Sequence, residues 1–480
     1  MSKSCIMKTP GIIVAGITSG VGKTTISTAI IQGLLKRGYN VQPFKIGPDF
    51  IDPSYHNRIS KRRSRNLDVW LMGINGLKES YLKNSIDSDF TVLEGVMGLY
   101  DGLSGGNNFA STAHVSKILD LPVLLIVDAK KAARSLAAIA LGFIKFDPQL
   151  RISGIVINNI ASERHLRYIV EAFDSKIKIP IVGKIFNNKN LIYRERHLGL
   201  IPRIELSAKS QGSIIKNSNI IAEHLDFEKI IEIGKKINYL DKSKFERSSM
   251  NMSTRKSRYQ ESKKLVDSRV KILVALDKSF NFYYQDNLDI LHKKAIIEFF
   301  SPLDDSCIPE DATGIILGGG FPEIIADKLE SNINMRSSIL DLAQKDIPIY
   351  AECGGLMYLT KTISGYKANK KKRKMVGLFD ADTVMTNRVT LGYTEAVLND
   401  DQTYLGKIRK LRGHEFHYSN IVVNNPDLEL IYDLKKGKGI MDGKDGFHTH
   451  NCIASYMHTH FINSALSNRF AECCVRYSKK

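Results

Sequence analysis

Short apolar runs recur along the first half of the chain, and each is followed by enough mixed sequence for a helix. The run Gly11–Gly16 (GIIVAG) predicts a buried strand, Thr24–Arg37 a helix closed by Gly38, and Val41–Ile46 a second strand. Further buried strands are predicted at Thr91–Glu94, Pro122–Asp128, Arg151–Asn158 and Pro180–Ile185. Strands that alternate with helices pair in parallel and are covered on both faces. The pattern therefore predicts an α/β fold with a doubly wound parallel sheet, whose ligands sit at the carboxyl ends of the strands.

The period is lost over 241–268, DKSKFERSSMNMSTRKSRYQESKKLVDS, where lysine and serine replace apolar anchors. This stretch reads as a polar linker between domains spanning 1–240 and 269–480. A second α/β pattern starts with a strand at Val270–Asp277, continues with a helix to Leu291, and adds strands at Ile296–Phe300, Gly314–Leu317 and Ile347–Ala351. After Met375 the pattern predicts short strands and turns, then a final helix over Ser464–Tyr477. The basic stretch 367–374 (KANKKKRK) reads as an exposed loop.

Length and composition narrow the class. At 480 residues the chain exceeds one hydrophobic core. It has no run of eighteen apolar residues, and MSKSCIMKTPG lacks the apolar core of a signal peptide. The cysteines, Cys5, Cys307, Cys353, Cys452, Cys473 and Cys474, show no paired spacing, so a reducing cytoplasm is expected. A net charge of +19 raises nucleic acid, an anionic membrane surface or an acidic small molecule as partners. Its lysines are dispersed, with clusters only at 61–65, 370–374 and 435–438, so the basic surface reads as solvated, with no nucleic-acid or membrane partner.

The candidate chemistry begins at Ala15–Thr25, AGITSGVGKTT, between a strand and a helix. Backbone N–H groups at Gly20 and Gly22 can wrap a phosphate, Lys23 can reach the β/γ phosphates, and the Thr24 hydroxyl can ligate Mg2+. Ser19 and Thr25 complete the candidate phosphate-binding set. Ile17 stands where the strict motif has glycine, but a plain glycine-rich cap would need no lysine.

Asp49 and Asp52 lie in FKIGPDFIDPSYH, after the second strand. Loop carboxylates are commonly caps; facing a triphosphate, these would hold magnesium or position a second substrate. Glu94, in LEGVMGLYDG, and Asp128 end other strands in the same crevice. Glu94 is preferred as metal or water partner because of its flanking glycines. Trp70 reads as core.

In the second half, YAECGGLMYLT (350–360) predicts a strand, a tight turn and a helix with Cys353 at the corner. There a thiol lies near the positive end of a helix, which lowers its pKa and makes it a nucleophile; the bland alternative is a small buried hydrophobe. In LGGGFPE (317–323), Gly319 and Gly320 can supply an oxyanion hole. In ASYMHTHF (454–461), His458 and His460 share a strand face, and one can serve as the base. A metal held by His448, His450, Cys452, His458 and His460 is the weaker reading.

Together SGVGKTT, FKIGPDFIDPSYH, RNLDVW, LEGVMGLYDG, ERHLGL, FNFYYQDNL, FFSPL, LGGGFPE, AECGGLMYL, LRGHEFHYS and ASYMHTHF resemble the cobyrinic acid a,c-diamide synthase family over nearly the whole chain. Related cobyric acid synthases are not expected to carry GPDFIDP, and Thr18 stands where partition ATPases have a signature lysine. The resemblance implies a P-loop NTPase-like synthetase domain and a class I glutamine amidotransferase-like domain. Cys353 would attack glutamine with His458 activating it, as a dyad, since no carboxylate is evident on the histidine strand.

ATP would convert the a and c acetates of cobyrinic acid, a polycarboxylate tetrapyrrole, to acyl phosphates that ammonia displaces, in cobalamin biosynthesis. Lys23, Thr24, Asp49, Asp52 and Glu94 would serve that step, with Mg2+ on Thr24 and Glu94. A homodimer is the assembly considered. The alternatives are the same diamidation on nickel sirohydrochlorin and a nucleotide-switched, non-enzymatic binding protein.

Overall fold

The fold was analysed in a computed structural model, which describes residues 9–188, 195–196, 199–200, 208–236, 270–365, 371–398, 403–406, 408–462 and 464–480. The proposed linker 241–268, part of ERHLGL and the start of the 367–374 stretch lie outside these residues. The chain divides into two compact units, Met1–Lys256 and Ser257–Lys480.

In the first unit every residue of β1 (Gly11–Gly16) is buried, as expected for a central strand covered on both faces. Ile13 and Ala15 enter one core with Phe44, Leu93 and Leu125, while Ile12 and Val14 enter the opposite core with Val92, Leu124 and Val156. The strands are β1, β2 (Val41–Ile46), β3 (Arg65–Leu67), β4 (Phe90–Gly98), β5 (Val123–Asp128), β6 (Ile152–Ile160) and β7 (Ile181–Phe186). They form one parallel sheet in the order β3-β2-β4-β1-β5-β6-β7. The chain steps from β1 to β2 and β3 on one side, returns through β4 and then crosses to β5, β6 and β7 on the other, and this reversal opens a crevice at the carboxyl ends of the central strands. Two helices border it, α1 (Lys23–Lys36) and α2 (Asp52–Ser60). Trp70 is buried, in keeping with a core residue. A two-residue pair, β8 (Glu195–Arg196) with β9 (Gly199–Leu200), stands apart from the sheet.

The second unit is built on a mixed sheet. Its parallel part runs β11 (Ile296–Phe300), β10 (Lys271–Ala275), β12 (Gly314–Leu317), β13 (Ile349–Glu352) and β20 (Cys452–Ser455). Beyond β20 lie β19 (Lys444–Thr449), β18 (Glu429–Lys436), β16 (Phe379–Leu398), β14 (Thr360–Ser364) and β15 (Lys372–Lys374). β17 (Lys410–Val423) pairs with β16 and with β21 (His458–Thr459). The last helix spans Leu466–Tyr477.

Two expectations are corrected here. The region after Met375 contains strands of 20 and 14 residues, β16 and β17, instead of short ones. Their inward positions include small or polar residues such as Ala381 and Thr383, so the two-residue apolar period is faint. Part of the 367–374 stretch is strand β15, antiparallel to β14. There Arg373 pairs with Asp327 and Glu330 of the helix Ala326–Ser331, and Lys372 with Asp382 of β16, so ion pairs to neighbouring elements take the place of hydrophobic pattern.

Candidate active site

Each unit places its candidate residues at strand ends. In the first, the loop after β1 turns through left-handed Gly20 and Gly22 into α1, with Ser19 and Gly20 exposed and Lys23 buried. Lys23 Nζ donates to the Thr18 carbonyl at 3.0 Å. Burial and the nearby Lys45 ammonium pull the Lys23 pKa down to about 8. Thr25 follows on α1, where its carbonyl accepts from the Thr28 hydroxyl.

Behind the loop lies a buried charge network that the sequence motifs only half revealed. Lys45 and Glu94 are register partners on β2 and β4, and their side chains meet at 2.9 Å. Lys45 also reaches Asp52 Oδ2 at 2.5 Å and the Gly95 carbonyl at 3.1 Å. Glu94 Oε1 accepts from Thr24 Oγ1 at 2.7 Å, and Glu94 Oε2 lies 2.6 Å from His56 Nε2. Burial alone would neutralise both Lys45 and Glu94. The carboxylates of Asp52, Glu94 and Asp49 outweigh it and raise Lys45; Lys45, His56 and Thr24 likewise hold Glu94 well below the ordinary carboxylate range.

Asp49 works locally: its Oδ1 accepts from the backbone N–H groups of Ile51 and Asp52, closing the turn that leads into α2. Asp128 Oδ1 is likewise taken, by Lys130 N and Asn159 Nδ2.

Hard oxygen donors face the phosphate loop, which is the donor chemistry Mg2+ prefers. Thr24 gives its proton to Glu94 and keeps its oxygen lone pairs for a cation. Glu94, expected as a direct metal partner, has no exposed surface and each of its oxygens already meets a donor, which leaves it only an indirect path to a cation, through Thr24.

In the second unit β13 ends at Glu352 and the chain turns sharply at Cys353, whose backbone adopts φ 46° and ψ −95°. Such a turn at a non-glycine residue is the geometry of a nucleophile elbow. It is held by Cys353 N–H to the Ser455 carbonyl at 2.7 Å and by Gly355 N–H to the Gly318 carbonyl at 3.0 Å. A Cβ on Gly355 would lie 2.2 Å from the Leu317 carbonyl, so the elbow helix Gly354–Leu359 can start there only without a side chain.

The thiol is nearly buried and its Sγ lies 3.6 Å from the Phe416 carbonyl. The expected lowering of its pKa is corrected. Burial and the carboxylates of Glu323 and Glu352 push it well up, against a single opposing hydrogen bond from Gly354. The resting residue is a thiol that needs a base.

The glycine turn and His458 converge on this elbow. A Cβ on Gly354 would lie 2.9 Å from Gly320 N, and one on Gly319 would lie 2.3 Å from His458 Cε1. Gly320 itself has φ 154° and would place a Cβ 2.0 Å from the Ser279 carbonyl. Tyr283 braces the turn by accepting from Gly318 N–H at 2.8 Å. His458 stacks on His414 with centroids 4.9 Å apart, and His414 Nδ1 is 3.1 Å from the Tyr284 hydroxyl.

His460 packs against Tyr284 on the same side, and burial lowers its pKa to about 4. His448 pairs with Glu429 and His450 with Asp346, so the five-residue cluster weighed for a metal is not gathered. Among the described residues no three His, Cys, Asp or Glu side chains stand together as a metal site.

Sequence reasoning passed over Lys45, His56, His414 and Glu352. Lys45 did leave a signal, a charge inside the wholly buried strand VQPFKI.

Two family models match the chain: a CobQ/CobB/MinD/ParA nucleotide binding domain over residues 12–200 and a CobB/CobQ-like glutamine amidotransferase domain over residues 271–466. A Listeria innocua protein named cobyrinate a,c-diamide synthase is 40% identical, covering 94% of this chain and 96% of its own. Proteins of the same name from Methanobrevibacter smithii and Methanococcus maripaludis are 37% and 41% identical, each covering 94% of this chain and 95% and 97% of their own.

Proposed function

Since the chain belongs to the cobyrinate a,c-diamide synthase family, we propose that its two sites together convert the a and c acetate carboxylates of cobyrinic acid to amides. It is a glutamine-dependent, ATP-using ligase of cobalamin biosynthesis. The observation that carries the reading is the pairing, in one chain, of a phosphate loop backed by Lys45 and Glu94 with a thiol elbow flanked by His458 and a glycine turn.

A carboxylate is inert toward ammonia until it carries a leaving group. In the first unit the γ-phosphoryl of ATP passes to a substrate carboxylate oxygen, giving an acyl phosphate and ADP. Lys23 and the N–H groups of the loop hold the phosphates. Asp49 and Asp52 shape the loop against which the second substrate lies. Thr24, oriented by Glu94, would hold Mg2+, which would neutralise charge on the phosphates.

In the second unit the Cys353 proton passes to His458 and sulfur attacks the glutamine amide carbon. The N–H groups of Gly319 and Gly320 face the developing oxyanion. The C–N bond breaks with proton return from His458, ammonia leaves, and water hydrolyses the thioester to glutamate. Ammonia then displaces phosphate from the acyl phosphate.

The test is mass spectrometry of products after incubation with ATP, magnesium and glutamine, with cobyrinic acid in one tube and nickel sirohydrochlorin in another. Cobyrinic acid is expected to gain two amides. Cys353→Ala is expected to abolish turnover with glutamine and spare it with ammonia, and Lys23→Ala to abolish both. Loss of ammonia-driven turnover in folded Cys353→Ala would overturn the division of labour, and diamidation of the nickel macrocycle alone would reassign the substrate.

A further inference from the structure

We infer that Glu352 is the positioning carboxylate of His458, so that the glutaminase centre is a Cys–His–Glu triad whose acid comes from the nucleophile's own strand. This rests on the roles given above to Cys353 and His458, and it corrects the dyad expected from the sequence.

The geometry is specific. Glu352 Oε2 lies 3.4 Å from His458 Nδ1, with 9% and 1% of the two side chains exposed. Glu352 Oε1 is pinned from two directions, accepting the Tyr350 hydroxyl at 2.8 Å and the Thr459 backbone N–H at 3.0 Å. With one oxygen fixed by β13 and β21, the other stands at ion-pair distance from the imidazole. The remaining faces of the ring are also set, by the His414 stack and by Gly319 against Cε1.

The titratable groups around it are Glu352 and Tyr350 on β13, Cys353 at the elbow, His414 on β17, and Tyr284 and His460 beyond His414. Burial and His458 itself hold His414 neutral. Among these groups Glu352 alone is a carboxylate.

An anion at Nδ1 keeps the proton on that nitrogen. It leaves the Nε2 lone pair to take the thiol proton, and it stabilises the imidazolium that results. A buried thiol whose pKa has been pushed up needs such help. The strand alternation that hid this role is broken by the left-handed turn at Cys353, which lets adjacent residues 352 and 353 both serve one imidazole.

Glu352→Gln isolates the charge. Its amide oxygen can keep both Oε1 hydrogen bonds, while an NH2 group replaces Oε2 and confronts Nδ1–H donor to donor. The expected result is a glutaminase kcat reduced by roughly tenfold to a hundredfold with glutamine KM little changed. Glu352→Asp, which keeps the charge, should recover part of the kcat that Glu352→Gln loses. Ammonia-driven amidation serves as the internal check on folding. Tyr350→Phe, which removes one of the two hydrogen bonds on Oε1 but keeps the carboxylate, should lower kcat in the same direction by less.

An unchanged glutaminase kcat in Glu352→Gln overturns the inference, as does parallel loss of ammonia-driven activity, which marks a structural role. Glutamine hydrolysis surviving in Cys353→Ala would instead overturn the reading on which the inference rests.

Discussion

Lys45 is the side chain on which the first site depends. It lies inside a strand with no solvent, between two carboxylates, and Glu94 in turn orients Thr24. Removing a buried ion's partner leaves an uncompensated charge, which costs about 3–5 kcal/mol. Lys45→Met should therefore lower the unfolding free energy measured in urea for the first unit by about that amount and reduce amidation with glutamine and with ammonia alike. Unaltered unfolding and turnover would mean that His56 and Thr24 suffice to hold Glu94. At this scale the sequence was partly legible. Cys353, His458, Lys23 and Thr24 announce themselves by residue type and neighbours, whereas Lys45, His56 and Glu352 act through pairings that only strand register and a backbone turn create.

Among the elements, the turn after β12 and the elbow after β13 form one device, because each glycine is excluded from carrying a side chain by the other segment or its supports. Gly320→Ala meets the Ser279 carbonyl and must move. Glutamine-dependent turnover should fall on the order of a hundredfold, as for a displaced oxyanion donor, with ammonia-driven turnover intact. Equal loss with both nitrogen sources would place the damage in folding instead. The strand–turn–helix units around both sites were readable because buried parallel strands are continuous apolar runs. The long β16 and β17 were not, since buried positions such as Ala381 and Thr383 are small or polar and the pairing register shifts between Met385 and Thr390. Strand β15 went unread for a related reason, as its lysines and arginine face acids rather than apolar neighbours.

For the whole molecule the balance of 69 basic against 50 acidic side chains sets the field that a substrate meets. A polycarboxylate macrocycle is drawn by such a field and a zwitterionic amino acid is not. The Debye length shortens from about 10 Å at 0.1 M salt to about 3 Å at 1 M. The apparent KM for the macrocycle should accordingly rise severalfold across that range while the KM for glutamine stays nearly level. Salt insensitivity of both would show that the basic surface serves solubility alone. That the chain holds two units was legible from its two separate series of apolar runs, because each core needs its own periodic apolar residues.

The backbone at Cys353 holds a residue with a side chain in a conformation suited to glycine, at a cost on the order of 1 kcal/mol. Evolution in the laboratory for heat tolerance, run without an assay for nitrogen transfer, would thus meet a backbone that favours glycine at the turn. The survivors could be sturdier proteins that still bind ATP and macrocycle but depend on ammonia from the medium.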